Sequence, residues 1–367
     1  MDFEFTDEQL ELQRTVRDLL EQECPPELVR KVIEGGSADD FWSTLVSLDW
    51  PGLALPEEYG GTGYSWVELA IVLEELGRAV APGPFLATVT QFAPAIAAAG
   101  SADQQRHWLS QVAAGSVSGA FAVDEGAGTW QLEDVAATGR IDGDQVVLTG
   151  TKRFVLDGAT ADEVAVAVLV DGAVRVVVVP RTSLHVDGHD PIDATSVHAE
   201  LGLDGVRIPV DRLLGDGPAV GLGAAIEEAS VAIALATVGA SSRIFELTLD
   251  YAKQRHQFGV PIGSFQAVKH KLADMYRDVE RARALAFYAA LCLAEGDDRS
   301  SAAASMAKAA AGECQQRCAQ DGLQLFGGIG YTWEHDLHLY LRRAKVGELT
   351  FGSSSHHRQR VARLALS

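Results

Sequence analysis

The sequence predicts an α+β chain in which two helical segments flank a small β segment. Three observations predict this order. Apolar residues recur at helical spacing through residues 1–117, short valine-rich runs with turn signals fill residues 118–218, and long alanine-rich stretches occupy residues 219–367. We therefore expect an N-terminal α-helical domain (1–117), a middle β domain (118–218) and a C-terminal helical bundle domain (219–367).

The N-terminal segment has the pattern of several helices separated by prolines and one glycine-rich loop. Thr6 to Gln9 (TDEQ) predicts a capping box, in which the Thr6 and Gln9 side chains bind free N–H groups at a helix start. Pro25-Pro26 either ends that helix or begins the next. Further helices are predicted over residues 41–48, 67–78, 85–98 and 102–114, with a glycine-rich loop at 51–66.

The middle segment is predicted to be made of short strands. Valine-rich runs occur at residues 120–123, 146–148, 154–156, 164–170 and 174–179. Turn signals separate several of them, namely Asp142-Gly143-Asp144, Asp157-Gly158 and Asp171-Gly172. This pattern indicates a small β domain that closes near residues 210–217.

Long helices are predicted again from residue 220 onward. They cover residues 224–256, 264–295 and 300–326, where alanine is abundant and suits close helix packing. Gly327, Gly328 and Gly330 then break the pattern, since glycine adopts positive φ and lets another backbone or a ligand approach. Residues 331–345 resume it, and a break at 352–355 precedes a last helix.

Composition excludes several classes of function. A net charge of −21 argues against a nucleic-acid surface, and a hydrophobic content of 47% is ordinary for a globular protein. No run reaches membrane-spanning length, and the acidic, polar start MDFEFTDEQ does not resemble a signal peptide. We therefore expect a cytoplasmic protein that binds neither nucleic acid nor membrane.

Cysteine and histidine do not predict a metal site. The four cysteines, Cys24, Cys292, Cys314 and Cys318, have no disulfide-framework spacing, and Cys314 and Cys318 lack completing ligands nearby. His335-x-x-His338 and His356-His357 could bind a metal with Glu334 or Asp336, but such pairs are common by chance. Surface or interface histidines are the favoured interpretation.

Two motifs in the C-terminal segment carry a family resemblance. Residues 255–259 form R-x-Q-F-G, and residues 324–336 read QLFGGIGYTWEHD; PEEYGG at 56–61 and SFQAVKHKLADM at 264–275 accompany them. Together these segments resemble the acyl-CoA dehydrogenases, flavoenzymes that desaturate acyl thioesters, over essentially the whole chain. The resemblance implies that family's architecture: an N-terminal helical domain, a middle β-barrel-like domain and a C-terminal four-helix bundle. It also implies FAD, an acyl-CoA substrate and electron-transfer flavoprotein as acceptor.

The chain departs from the family at the catalytic base. Desaturation needs a carboxylate to take the α-proton, while the flavin accepts the β-hydride. One family position for this base is a Y-E-G-T turn, which aligns with residues 350–353 and places Phe351 at the glutamate. The other position, on the first helix of the bundle, falls on Ala229. A displaced base at Glu227, Glu228 or Glu348 is the alternative, although a shift of one or two residues rotates a helical side chain by roughly 100–200°.

The segments that contact the flavin ring in the family are also changed. The family's T-E-P-x-A-G-S-D aligns with residues 123–130, so Val123 replaces the threonine that hydrogen-bonds the ring. The family's W-I-T/S becomes Phe154-Val155-Leu156, and a second hydroxyl is lost. The resemblance therefore predicts that this chain holds its own flavin ring poorly.

The residues that match the family's adenine and pyrophosphate contacts are present. They are Arg255, Gln257, Phe258, Gln324, Gly327 and Gly328. In the family these residues reach across a dimer interface to the partner's flavin. The resemblance thus points to the base-less chain of the heteromeric actinobacterial enzymes that act on steroid side chains, paired with a catalytic subunit as α2β2, with a steroid-CoA as one substrate class. A self-sufficient dehydrogenase and a non-enzymatic CoA-thioester-binding or scaffold protein are the alternatives.

Overall fold

The N-terminal segment is helical, as predicted. The structure, a computed structural model, describes residues 4–188 and 191–366. The helices of this segment are α1 (Asp7–Glu23), α2 (Pro26–Ile33), α3 (Asp39–Ser47), α4 (Trp66–Arg78), α5 (Phe85–Ala87), α6 (Ala93–Ala99) and α7 (Ala102–Ala113). A π-helical turn, Thr88–Phe92, joins α5 to α6, so this part of the chain runs as one continuous helical stretch.

Local sequence signals set the first two helix starts. The Gln9 backbone N–H donates to Thr6 Oγ1 at 3.2 Å, and the Thr6 N–H donates to Gln9 Oε1 at 3.1 Å. The predicted capping box is therefore confirmed. Pro26 occupies the first turn of α2, where a missing N–H carries no penalty, so the proline pair begins the second helix.

The middle segment is built from nine short strands among the residues that the structure describes. They are β1 (Gly119–Ala122), β2 (Thr138–Asp142), β3 (Gln145–Thr149), β4 (Thr151–Leu156), β5 (Glu163–Val170), β6 (Ala173–Pro180), β7 (His185–Gly188), β8 (His198–Gly202) and β9 (Arg207–Pro209). The predicted β domain is confirmed. The valine runs account for five of the strands, whereas β2, β7, β8 and β9 lack a strong apolar run and were not predicted.

The strands form two sheets around one apolar core. In the larger sheet the order is β1-β5-β2-β3-β9, with β6 paired to β5, and in the smaller sheet it is β4-β8-β7. Valines of β5 and β6 pack with residues of β4 and β8 in a single buried cluster. Strand β4 is interrupted by a bulge between Lys152 and Val155, and Phe154 in that bulge has φ 54°.

The C-terminal segment returns to helices, as predicted. It consists of α8 (Leu222–Gln254), a hairpin of β10 (His256–Gln257) and β11 (Val260–Pro261), α9 (Gln266–Glu295), α10 (Ser300–Phe326), α11 (Leu337–Leu349) and α12 (Ser354–Leu366). Three long helices are thus followed by two shorter ones. The expectation that no run reaches membrane-spanning length was wrong for helix α8, which is long and apolar enough by length and composition. However, 72% of its most apolar window is buried, as in the core helix of a soluble protein.

The chain divides into two compact units. One unit contains residues 1–35, 66–81 and 230–367, so α1, α2 and α4 join the C-terminal helices. The other contains residues 36–65 and 82–229, so the remaining N-terminal helices join the β domain. The predicted boundaries at 117/118 and 218/219 mark changes of secondary structure, and the three-domain division stays a proposal.

In the first unit, two glycines set the distance between α4 and α8. A Cβ on Gly77 would overlap the carbonyl oxygen of Ala236, and a Cβ on Gly239 would overlap that of Glu74. The two helix backbones are therefore in direct contact, which only glycine at these positions allows.

Candidate functional site

The two motifs of the C-terminal segment lie at the same end of the first unit. The Tyr251 ring, in the last turn of α8, stacks on the Phe326 ring at the end of α10, with centroids 4.4 Å apart. Residues 255–258 follow directly from α8, and residues 324–328 span the end of α10. The structure therefore brings the six predicted cofactor-binding residues to one surface region.

A tight hairpin shapes the first half of this region. Gln257 pairs with Val260, and the two turn residues between them, Phe258 and Gly259, have φ values of 53° and 82°. Two left-handed residues are typical of a type I′ turn. Phe258 is 92% exposed, and its ring meets the ring of Phe265 edge-on, with centroids 6.2 Å apart. The hairpin therefore presents an aromatic ring to the solvent.

Arg255, Gln257 and Gln324 are also exposed. Both backbone polar groups of Arg255 are hydrogen-bonded. The N–H donates to Tyr251 O at 2.8 Å, and the carbonyl accepts from Ile262 N at 2.7 Å. Within the described residues its guanidinium forms no hydrogen bond or ion pair. A fixed backbone with a free guanidinium suits bidentate binding of a phosphate.

The glycine break at the end of α10 leaves the backbone open. Gly327 has φ 63°, and no atom lies within 4 Å of where a Cβ would stand on Gly327 or Gly328. Gly330 differs, because a Cβ there would press on Leu323 and Phe326 at 3.0 Å. Gly327 and Gly328 can therefore let a ligand approach the chain, whereas Gly330 serves packing.

The turn that aligns with the family's first base position has a phenylalanine at that position. Phe351 is buried, with φ 58°, and Gly352 follows with φ 97°. The buried Lys308 Nζ donates to the carbonyl oxygens of Gly347, Glu348 and Gly352, each at 2.9 Å. His357 Nε2 lies 2.7 Å from Phe351 O. The turn is held rigidly, yet a phenyl ring cannot accept a proton.

Burial shifts the pKa values of both groups that hold this turn. It lowers the pKa of Lys308 to about 7, although Glu348 opposes the shift. Burial, with the nearby charge of Lys308, lowers the pKa of His357 to about 3. A neutral His357 donates its Nε2 hydrogen to Phe351 O, so the imidazole acts as a structural donor here. Sequence reasoning missed Lys308 and considered His357 only as a possible metal ligand.

The alternative base positions differ in their surroundings. Ala229 on α8 is fully buried and has only a methyl group, and Glu227 and Glu228 beside it are half-buried. Glu348 is buried, which alone would raise its pKa, but Lys345 Nζ at 2.9 Å and the Ser354 N–H at 3.3 Å lower the pKa below its usual value. A carboxylate held in this way is a weak base.

In the second unit, the two segments aligned with the family's ring contacts lie side by side, and the aligned positions 123 and 156 carry no hydroxyl. The Arg153 N–H donates to Asp124 O at 2.8 Å, and Lys152 Nζ donates to Val123 O at 3.0 Å. The side chains of Val123 and Leu156 are buried. Neither can hydrogen-bond a flavin ring, so this unit does not fit the group as the family motif would.

The histidines and cysteines considered as metal ligands make contacts within the protein or are buried. His335 Nδ1 accepts from the Leu337 N–H at 3.1 Å, and Asp336 pairs with Arg30 at 2.6 Å. All four cysteines are free and buried. Over residues 4–188 and 191–366, no group of three or more His, Cys, Asp or Glu side chains is arranged to hold a metal ion.

Comparison with known proteins identifies the family. The sequence profile for the acyl-CoA dehydrogenase N-terminal domain matches residues 6–116, and the C-terminal domain profile matches residues 215–366. The chain is 30% identical to the probable acyl-CoA dehydrogenase YngJ of Bacillus subtilis over 100% of both proteins. It is 33% identical to acyl-CoA dehydrogenase IpdE2 of Mycobacterium tuberculosis, over 91% of this chain and 89% of that protein.

A solved structure supports the same assignment. A chain of the ChsE4-ChsE5 complex from Mycobacterium tuberculosis superposes with a TM-score of 0.90, at 28% identity and with 100% of both chains covered. The resemblance to the family and the predicted architecture are thereby confirmed, whereas the base-less subunit stays a proposal. The chain belongs to the acyl-CoA dehydrogenase family, whose members are FAD-dependent oxidoreductases.

Proposed function

We propose that this chain is the non-catalytic subunit of a heteromeric FAD-dependent acyl-CoA dehydrogenase. One contrast carries the proposal. The surface formed by Arg255, Phe258, Gln324 and the open glycines is exposed and unpaired, whereas Phe351 at the base position has no proton acceptor. The chain has therefore kept groups that serve a neighbour's cofactor and lost a group that performs the chemistry.

The exposed surface fits the adenine and diphosphate part of FAD. Arg255 would bind phosphate oxygens through two N–H groups, and Gln257 and Gln324 offer both donors and acceptors. The backbone at Gly327 and Gly328 can come close to the diphosphate because no side chain intervenes. The exposed Phe258 ring supplies a face for an aromatic base. When bound, FAD supplies the group that accepts a hydride from the β-carbon of the thioester.

The chain's own residues would then bind and position, and the partner would supply the base. A homologous catalytic subunit with a carboxylate at the position of Phe351 or Ala229 completes the enzyme, as an α2β2 assembly. The ChsE4-ChsE5 neighbour is a complex of two differently named chains, which supports a heteromer. The substrate is an acyl-CoA thioester, with a steroid-CoA as the proposed class, the acceptor is electron-transfer flavoprotein, and the location is cytoplasmic.

Steady-state turnover tests the missing base. Purified alone, the chain should not reduce a dye acceptor with any acyl-CoA, because losing a general base lowers the rate by roughly 10²–10⁴-fold. Robust turnover that Glu228→Gln abolishes would favour a displaced base and overturn the proposal. Robust turnover that Glu348→Gln abolishes would also favour a displaced base and overturn the proposal.

Flavin retention tests the contact to a partner's cofactor. In the complex with a candidate catalytic subunit, Arg255→Ala should lower the flavin-to-protein ratio after gel filtration. A lost charge-assisted phosphate contact costs about 1.5–3 kcal/mol, or roughly a ten- to hundredfold drop in affinity. Lys253→Ala is the matched control, since Lys253 is exposed and its side chain pairs with Asp250 on its own helix.

The same experiment includes a variant in the other unit. Val123→Thr should change flavin retention little, because the proposal leaves this chain's own ring position unused. If Arg255→Ala leaves the ratio unchanged while Val123→Thr alters it, the chain holds its own cofactor and the proposal is wrong.

A further inference from the structure

The loop over residues 124–130 in the second unit is closed by its own carboxylate. Asp124 Oδ1 accepts the Gly126 N–H at 2.6 Å, while Asp124 Oδ2 accepts the N–H groups of Thr129 at 3.0 Å and Trp130 at 3.2 Å. Asp124 itself is buried. Three backbone donors that converge on one point form an anion-binding concavity, and here a side chain of the loop fills it.

A second carboxylate holds the loop from the other side. Glu125 Oε1 accepts from the buried Lys152 Nζ at 2.6 Å and from the Ala136 N–H at 3.0 Å. The same Lys152 Nζ donates to Val123 O. Because both charges are paired and hydrogen-bonded within the unit, these contacts hold the loop against β4 without any bound group.

Trp130 is the side chain that this closure keeps in place. Its backbone has φ 50°, in the left-handed region that asparagine and aspartate adopt more readily than an aromatic residue. Trp130 is nonetheless buried, 5% exposed, and its ring lies 6.1 Å from that of Phe154, which is itself left-handed in the β4 bulge. Burial of the large Trp130 ring offsets its unfavourable backbone, whereas Phe154 is 47% exposed and takes its left-handed conformation from the bulge.

We propose that Trp130, held by Asp124, occupies this chain's own flavin-ring position and closes it to flavin. This inference rests on the proposed function and adds a physical reason why this chain would hold no flavin of its own. Trp130 stands where the family motif has an aspartate, and its ring packs on Phe154, where the motif has a tryptophan. The proposed ring position is therefore occupied by the Trp130 side chain, and it also lacks hydroxyls because valine and leucine stand at positions 123 and 156. Restoring hydroxyls alone would not reopen it.

Binding of lumiflavin tests this closure. Lumiflavin has the flavin ring without phosphate or adenine, so it reports on the ring position and does not depend on Arg255. We compare four proteins by quenching of lumiflavin fluorescence: the wild type, Val123→Thr/Leu156→Thr, Trp130→Asp and the triple variant. Tyr64→Asp is the matched control, an exposed aromatic in the same unit. Circular dichroism and thermal melting verify folding.

The wild type, the control and the double variant should not bind lumiflavin measurably. Trp130→Asp should bind it, and the triple variant should bind at least tenfold more tightly than Trp130→Asp. If the double variant binds as tightly as the triple variant, Trp130 does not close the pocket and the inference is wrong. A folded triple variant that does not bind also overturns it. Should Trp130→Asp fail to fold, Trp130→His provides a smaller ring that tolerates a left-handed backbone, with the same expectations.

Failure here is distinguishable from failure of the proposed function. Lumiflavin cannot report on phosphate contacts, whereas FAD retention in the two-chain complex responds to Arg255→Ala. Lumiflavin binding by the unmodified chain overturns the closure and leaves the Arg255 result standing. An Arg255→Ala variant that retains FAD in the complex overturns the proposed function and leaves the lumiflavin series standing.

Discussion

Replacing Lys308 with methionine should destabilise the turn at which the family places its base. The ammonium group donates to three carbonyl oxygens, those of Gly347, Glu348 and Gly352, each at 2.9 Å, and the side chain is 1% exposed. Methionine fills a similar volume but has no donor. The substitution therefore leaves three carbonyls of one turn without the group that binds them.

Two opposing terms set the size of the effect. Hydrogen bonds from a charged donor contribute about 1.5–3 kcal/mol each, or roughly 4–9 kcal/mol for three. Burial lowers the pKa of Lys308 from 10.5 to about 7. At about 1.4 kcal/mol per pKa unit, burying the charge costs roughly 5 kcal/mol. Since unpaired buried carbonyls cost about 1–3 kcal/mol each, we expect Lys308→Met to lose about 3 kcal/mol of unfolding free energy at pH 7.

The unfolding free energy lost by Lys308→Met should grow with pH. Between pH 7 and 10.5 the unfolded chain binds a proton at Lys308 that the folded chain has released. The contribution of Lys308 to the unfolding free energy therefore rises with pH, by up to about 1.4 kcal/mol per unit. Urea unfolding at pH 7 and pH 9 measures both effects, with Lys253→Met, an exposed lysine, as the control. If Lys308→Met equals the wild type at both pH values, the reasoning is refuted.

Three further predictions concern acid sensitivity, helix packing and association. His357→Gln should reduce acid sensitivity: the wild-type His357 has a pKa of about 3 instead of 6.5, so wild-type unfolding free energy should fall by about 2 kcal/mol more between pH 6.5 and pH 5 than that of the variant. Gly77→Ala should cost at least about 3 kcal/mol, because its Cβ overlaps Ala236 O, whereas Gly223→Ala, with no atom within 4 Å, should be neutral or stabilising in thermal melts. In sedimentation at micromolar concentration the chain should associate through its alanine-rich helices, and a stable, soluble monomer would contradict the subunit proposal.

Local sequence signals were sufficient for most helices but not for all strands. The capping box at Thr6 involves residues only three apart, so it can be read directly from the sequence. Strand β8 pairs with β4, and Leu156 meets His198 across a long separation in the chain. Such pairing depends on the whole β core, and the mixed residues of β8 carry no strong pattern.

The sequence indicated which residues form the candidate site but not how they are arranged in space. The two motifs named Arg255 and Gln324, but the Tyr251–Phe326 contact that brings them to one end is a tertiary feature. Lys308 was missed because its acceptors lie 39 to 44 residues further along the chain. A lysine within an alanine-rich helix was the available signal, and it does not indicate which carbonyls the lysine will meet.

The flavin content of the assembled enzyme tests the central claim most directly. The chain and its catalytic partner are co-purified, and FAD is quantified by its absorbance near 450 nm against the amount of each polypeptide. If Arg255 and Gln324 serve the partner's flavin while this chain's own ring position stays empty, the assembly should contain one FAD per pair of chains. One FAD per chain would contradict the account.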